Sequence, residues 1–153
     1  MSFRLNRMHA WSCEVADEVG GVAEKLALLA QAGADLEFIY TTRLRDKPGR
    51  GVLFVTPLTG PLQLNAARSA GFAETDSPIL MRVAGDNQQG LATKLTQAWA
   101  SAQLNMAGLS MAVLEQEFVG YVSFDTVEDA NRAAAILGDL GAAEKKATNA
   151  AKG

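Results

Sequence analysis

The spacing of apolar residues switches along this chain between the alternation of a strand and the three- and four-residue steps of a helix. Trp11, Cys13 and Val15 alternate with polar neighbours and predict a strand at 9–16, with Phe3 and Leu5 in an extended arm before it. Asp17 to Gly20 then form a loop. Val22, Leu26, Leu29 and Gly33 recur four, three and four apart, one face of a helix. Glu18 and Glu24 suit the positive end of its dipole, and Gly33 its C-terminal turn. Leu36, Phe38, Tyr40 and Leu44 share one parity, with Glu37, Thr41, Arg43 and Arg45 on the other, which predicts a half-buried strand. A Pro48-Gly49 turn leads into a short strand at 52–55. Pro61 suits the first turn of a second helix, which Gly71 closes. Residues 72–76 complete the half as a last strand.

The second half repeats the order β-α-β-β-α. A strand is expected at 79–84, and Leu91, Leu95, Ala98 and Ala102 make a helix face. Ala107, Leu109, Met111 and Val113 alternate as a strand. Glu115-Gln116-Glu117 is the turn, and 119–124 the return strand. Thr126 is placed to cap a helix with Asp129 three residues on, and Val127, Ala130, Ala134 and Leu137 give that helix its face. Gly141 is expected to close it as Gly71 closes the earlier one. The tail, 142–153, has no large apolar residue and reads as a frayed end or a weak last strand.

A local echo ties the halves together. Asp17, Gly21, Ala23, Lys25 and Leu26 reappear 69 positions later as Asp86, Gly90, Ala92, Lys94 and Leu95, and Gly51 as Gly120. The predicted architecture is α+β: two ferredoxin-like βαββαβ domains in tandem, at 1–76 and 77–153, the second with a polar C-terminal tail. Each half alone would be marginal in size, so packing two together is a physical reason for the duplication.

Composition narrows the function. The chain has 153 residues, 48% hydrophobic and 20% charged, which is ordinary for a folded protein. Its formal net charge of −3 lacks the footprint that a phosphate backbone demands, and the aromatic pattern of an RNA-recognition sheet is missing. No nucleic-acid partner is expected. Cys13 is the lone cysteine and reads as a buried apolar residue in a reducing compartment. No leader-like segment stands at 1–8, where Arg4 and Arg7 interrupt the apolar residues, and no run is long enough to span a membrane. The expectation is a cytoplasmic protein with no membrane association.

The run Val15 to Leu26, with Ala32-Gly33-Ala34-Asp35-Leu36 after it, resembles the signature of ACT domains. Asp86, Gly90-Leu91-Ala92, Lys94-Leu95 and Leu104-Asn105-Met106 resemble a divergent second copy. The resemblance covers nearly the whole chain, and the proteins it points to are small stand-alone ones built of two ACT domains. Two features depart from the signature. Val19 and Gln88 stand where a proline is usual, and Gln89 stands where the first copy has Gly20.

The resemblance implies regulation by a small effector, most often an amino acid, bound where two domains meet. It places candidate ligand contacts at Asp17, Glu18, Val19, Gly20, Gly21 and Asp35. In the second half it places them at Asp86, Asn87, Gln88, Gln89, Gly90 and Asn105. Asn105 aligns with Leu36 at a shift of 69 and with Asp35 at 70, and both registers stay open. The chemistry is suitable. Helix N-termini at Gly20-Gly21 and Gln89-Gly90 offer N–H groups to a carboxylate, and Asp17, Asp35, Asp86 or Asn105 offers an acceptor to an ammonium group. The plainer alternative is that Asp17 and Asp86 cap helices and the glycines only permit the turn. With Gln89 in the place of Gly20, the first loop is expected to bind better than the second.

No enzyme is predicted: His9 is the only histidine and no nucleophile accompanies it at a useful spacing. No metal and no cofactor are expected. Trp99 is expected to pack against another element. Arg43, Arg45, Lys47 and Arg50 form a basic hairpin tip, either solvated or docked to an acidic partner. The reading is therefore a regulatory or sensor protein that binds a small molecule. Its partners are the effector and either a second copy or an enzyme. The rival is an interaction or oligomerisation module whose loops bind nothing.

Overall fold

The computed structural model describes residues 3–75 and 77–152, and the chain divides into two units. The unit at 9–75 follows the expected order: β2 (Trp11–Ala16), α1 (Gly21–Gln31), β3 (Phe38–Arg43), β4 (Arg50–Thr56), α2 (Gly60–Ser69) and β5 (Ala73–Glu74), where β2 takes its number from a strand that precedes it. The sheet runs β3-β4-β2-β5, every pair antiparallel. Trp11, Cys13 and Val15 lie buried on one face of β2 because the alternation that predicted the strand also points them at Leu29 of α1 and Ala67 of α2. The Cys13 thiol donates to the Ala70 carbonyl at 3.6 Å, as a buried apolar residue with a weak donor does. Asp76, expected at the end of the last strand, lies outside the described residues.

The other unit takes 77–152 together with the start of the chain. Its elements are β1 (Arg4–Met8), β6 (Ile79–Asp86), α3 (Leu91–Ser101), β7 (Gly108–Leu114), β8 (Glu117–Phe124) and α4 (Val127–Lys152). The sheet order is β1-β6-β8-β7, so the N-terminal segment fills the place that β5 holds in the other sheet. This corrects the expected assignment of 1–8 to the first domain. β1 pairs with β6 from Arg4 opposite Ala84 to Met8 opposite Leu80, and Phe3 and Leu5 pack on the core formed by Trp99, Phe118, Phe124 and Leu137. The Phe3 and Phe118 rings meet edge to face at 6.1 Å. Alternation in 3–8 was visible in sequence; which sheet it joined was not.

Three further expectations are corrected. Gly141 does not end α4, which runs 26 residues to Lys152. Gly71 has a φ of 96°, the left-handed turn that stops a helix, whereas Gly141 stays helical. Since β1 already completes the sheet, the alanine- and lysine-rich tail continues as helix, for which its residues have high propensity. Glu117 belongs to β8 rather than to the turn, so the hairpin has a two-residue loop, Glu115-Gln116. And the half-burial expected along one parity of β3 fails at Tyr40, which is exposed, while Leu36, Phe38 and Leu44 are half-buried. β3 is an edge strand exposed from Ile39 onward, and it is Ile39 and Thr41 that stand opposite the buried Val55 and Leu53. Thr126 does cap α4, accepting the Asp129 N–H at 3.1 Å.

Candidate functional site

Each unit carries a loop between its central strand and its first helix, and the hydrogen bonds fix how the two loops correspond. The Asp17 N–H bonds the Gly49 carbonyl at 3.0 Å, as the Asn87 N–H bonds Gln116 at 2.8 Å. Gly21 bonds back to Glu18 and Leu91 to Gln88, each at 3.2 Å. Glu24 bonds Gly20 and Lys94 bonds Gly90, each at 3.0 Å. The shift is therefore 70, not the 69 that maximised identities. After the shorter hairpin turn it becomes 67, since Arg50 opposes Ala16 as Glu117 opposes Asp86.

The one-residue difference redraws the site. Gly90, not Gln89, stands in the place of Gly20. Both glycines are helix N-caps in the left-handed region, with φ of 84° and 78°. Asn87 takes the place of Asp17, while Asp86 is the last residue of β6 and lies opposite Glu117. Asn105 matches Asp35, because Leu104 bonds back to Trp99 as Ala34 bonds back to Leu29. Gly51 and Gly120 do not correspond. An added Cβ at Gly20 or Gly90 would meet nothing within 4 Å, so only backbone strain opposes a side chain. Gly20→Ala and Gly90→Ala are accordingly expected to cost similar stability, about 1–2 kcal/mol each. Urea titration of both variants checks this. Unequal losses would show that the two caps are not equivalent.

Neither loop is capped by a side chain. Asp17 instead accepts a hydrogen bond from Arg43 Nε at 2.8 Å. The hairpin tip is thereby largely balanced, because Glu14 pairs with Lys47 and lies 3.8 Å from Arg50. The hydrogen bond from Lys47 holds the Glu14 carboxyl below its ordinary value, helped by the Lys47 and Arg50 charges, and it raises the Lys47 ammonium above its own. Glu18, Val19 and Gly20 are exposed, and Val19 makes no side-chain burial at all.

The loop of the second unit opens on a cleft of about 350 Å³ lined by Asn87 to Thr93 on one side and by Met111, Val113 and Phe118 on the other. Two of its lining residues differ in kind from their counterparts in the other unit. At the first loop, a Cβ on Gly21 would stand 2.4 Å from the Ala16 carbonyl oxygen, so α1 begins pressed against the end of β2. Leu91 occupies that place in the second unit, and Phe118 the place of Gly51, both buried. Two buried apolar side chains therefore stand at the start of α3 where the other unit has glycines. The N–H groups of Ala92 and Thr93 in this first turn have no carbonyl partner among the described residues. Amide side chains of Asn87, Gln88 and Gln89 surround them, with no carboxylate among the lining residues. Such a cleft favours a small ligand with an anionic group and an apolar body.

Asp35 and Asn105 are exposed and follow the C-terminal ends of α1 and α3, whereas the loops precede the N-terminal ends. Eleven helical residues, about 16 Å, separate the two positions in each unit. Within a unit they are not brought together. Met111 and Val113 on β7 and Phe118 on β8 escaped sequence reasoning as lining residues, because the loop that faces them was aligned one residue off. His9 is exposed, with Nδ1 3.9 Å from Glu74. Among the described residues no three His, Cys, Asp or Glu side chains gather as for a metal, and no helix is long and apolar enough to cross a membrane.

The architecture, two α+β units with four-stranded antiparallel sheets, matches tandem ACT-like ferredoxin folds among solved structures. Protein BT0572 from Bacteroides thetaiotaomicron aligns with a TM-score of 0.70 at 12% identity, over 89% of this chain and 90% of that one. The ligand-free regulatory subunit of aspartate kinase from Thermus thermophilus aligns at 0.62 and 19%, over 90% and 95%. The corresponding subunit from Thermus flavus aligns at 0.56 and 20%, over 90% and 95%. No protein-family model matches the chain, and no curated protein sequence does.

Proposed function

We propose that this chain is a regulatory sensor that binds a small carboxylate, in the first instance an amino acid with an apolar side chain, in the cleft at the start of α3. The cleft itself carries the reading: it joins helix N-terminal N–H groups, without a backbone carbonyl partner among the described residues, to an apolar wall. Its neutral amides leave a carboxylate unopposed by negative charge, and Asn87 and Gln88 provide carbonyl oxygens for an ammonium group. The likeness to regulatory subunits supports a regulatory role. Asp17 to Gly21 form the second candidate loop, where acidic Asp17 and Glu18 disfavour the same anion. Asp35 and Asn105, beyond the far ends of α1 and α3, take no part in this cleft. The order of the two loops is thus opposite to the one the sequence suggested. Bound effector would favour one packing of the protein with its partner, an enzyme or a second copy, by its differential affinity.

Thermal melting with a panel of amino acids and simple carboxylates tests the proposal. A ligand at 100 times its Kd should stabilise the unit by about 2.7 kcal/mol. Val113→Trp fills the cleft from an exposed position and should abolish the shift without lowering the ligand-free melting temperature. No shift from any of the panel at millimolar concentration, or the same shift in Val113→Trp, would refute binding at this cleft.

A further inference from the structure

One row of the second unit's sheet runs from the ligand cleft to the N-terminal strand. Val113 of β7 stands opposite Phe118 of β8, and Phe118 stands opposite Gly85 of β6. The β1 ladder sets Arg4 against Ala84, so one step further Phe3 stands against Gly85. The row therefore reads Val113, Phe118, Gly85, Phe3. The glycine on the central strand puts no side chain between its neighbours, and the Phe3 and Phe118 rings meet edge to face, 6.1 Å apart. Phe118 is buried and serves both ends: with Val113 it walls the cleft, and with Phe3 it seats β1. The first unit has no such row, because there the bulk is reversed. Val15 takes the place of Gly85 and stands opposite Gly51, while β5 reaches only Trp11 and Ser12.

β1 is held lightly. None of its five residues is buried, and a cleft of about 290 Å³ lies between Phe3 and Leu5 on one side and Leu137, Gly138 and Gly141 of α4 on the other. Arg4 reaches Glu117 only as an exposed pair. An edge element with so little burial opens locally without unfolding the rest. We propose that β1 is a strap with two states, and that its seating is coupled through Phe118 to occupancy of the cleft at the start of α3, which rests on that cleft being the ligand site. An occupant packed on the cleft side of Phe118 holds its ring in place, and the held ring gives Phe3 a fixed surface to close on. The coupling is reciprocal, so a seated strap in turn favours the occupant. Only His9 and Ala10 separate Met8 from Trp11 at the start of β2, so the change in β1 falls where the chain enters the other unit. The seated and released strap supply the two states between which an effector must discriminate.

Hydrogen exchange of Arg4 to Met8 in the full chain, followed by mass spectrometry, tests the coupling. Val113→Trp sets a large side chain beside Phe118 with no ligand present. It should slow exchange in β1 about fivefold or more, the lower end of ordinary coupling between sites. In a Phe3→Ala background the same substitution should change nothing, whereas a general stiffening of the unit would slow exchange in both. Free leucine at millimolar concentration is the ligand probe. If it raises the melting temperature of the wild type, it should also slow β1 exchange there and bind more weakly to Phe3→Ala, although Phe3 does not line the cleft. Slowing by Val113→Trp without any melting shift from leucine would support the coupling and count against amino-acid binding, so the two can fail separately. Unchanged β1 exchange in Val113→Trp, equal slowing with and without Phe3, or a leucine-stabilised wild type whose β1 exchanges as before would each overturn the proposal.

Discussion

Deleting residues 1–8 should unfold the unit built on 77–152 at markedly lower denaturant while leaving the unit at 9–75 intact. β1 supplies five paired positions to β6, and Phe3 and Leu5 cover the core at Phe118. Arg4 also reaches Glu117 at 3.3 Å, but that exposed pair adds little. Losing the burial of two large side chains at roughly 1.5–3 kcal/mol each, scaled down because both are only partly buried, gives about 2–4 kcal/mol. A domain holds only about 5–15 kcal/mol in all. The chain provides its own reporters: Trp11 lies in one core and Trp99 in the other. Urea unfolding followed through Trp99 in a Trp11→Phe background should show the lowered midpoint. Followed through Trp11 in a Trp99→Phe background, it should not. An unchanged Trp99 midpoint would mean that β1 contributes nothing to that sheet.

Trp99→Ala is expected to be the most damaging single substitution, at about 3–5 kcal/mol. The side chain is 1% exposed, its ring meets Phe124 edge to face at 5.7 Å, and its Nε1 donates to the Ala133 carbonyl at 3.3 Å. Truncation removes the packing of α3 on both the sheet and α4. Trp99→Phe keeps part of the volume and loses the donor, so it should cost clearly less. The midpoint in urea should fall with the m-value unchanged, which separates lost stability from a changed unfolded state. Leu29 holds the equivalent place in the other unit, and Leu29→Ala should cost about 2–5 kcal/mol there. A Trp99→Ala loss under 1 kcal/mol would contradict the packing described.

Legibility differed between the elements for physical reasons. The strand at Trp11–Ala16 and the helix at Leu91–Ser101 were readable because each buries one periodic face, and periodicity is local. Thr126 was readable as a cap because the bond it makes spans three residues. The edge position of β3 was not readable. Its alternation is real, but the face it turns to the core depends on Val55 and Leu53 across the ladder. The ligand loops were half readable. Their glycines and helix starts were recognisable, yet identities among alanine-rich helices pulled the alignment one residue off. Only hydrogen-bonded partners such as Asn87 with Gln116 corrected it.

The sequence by itself determined the βαββα order of both halves, the helix starts at Gly20 and Gly90, and the buried character of Cys13 and Trp99. These follow from side-chain period, turn chemistry and apolar bulk, all set within a few residues. The tertiary structure alone decided that Phe3 and Leu5 complete the far sheet, that the tail continues as helix, and that the cleft opens beside Leu91 and Phe118. Each of those depends on which surfaces meet across some 27 to 130 intervening residues, a choice made by packing and strand pairing that no local pattern records.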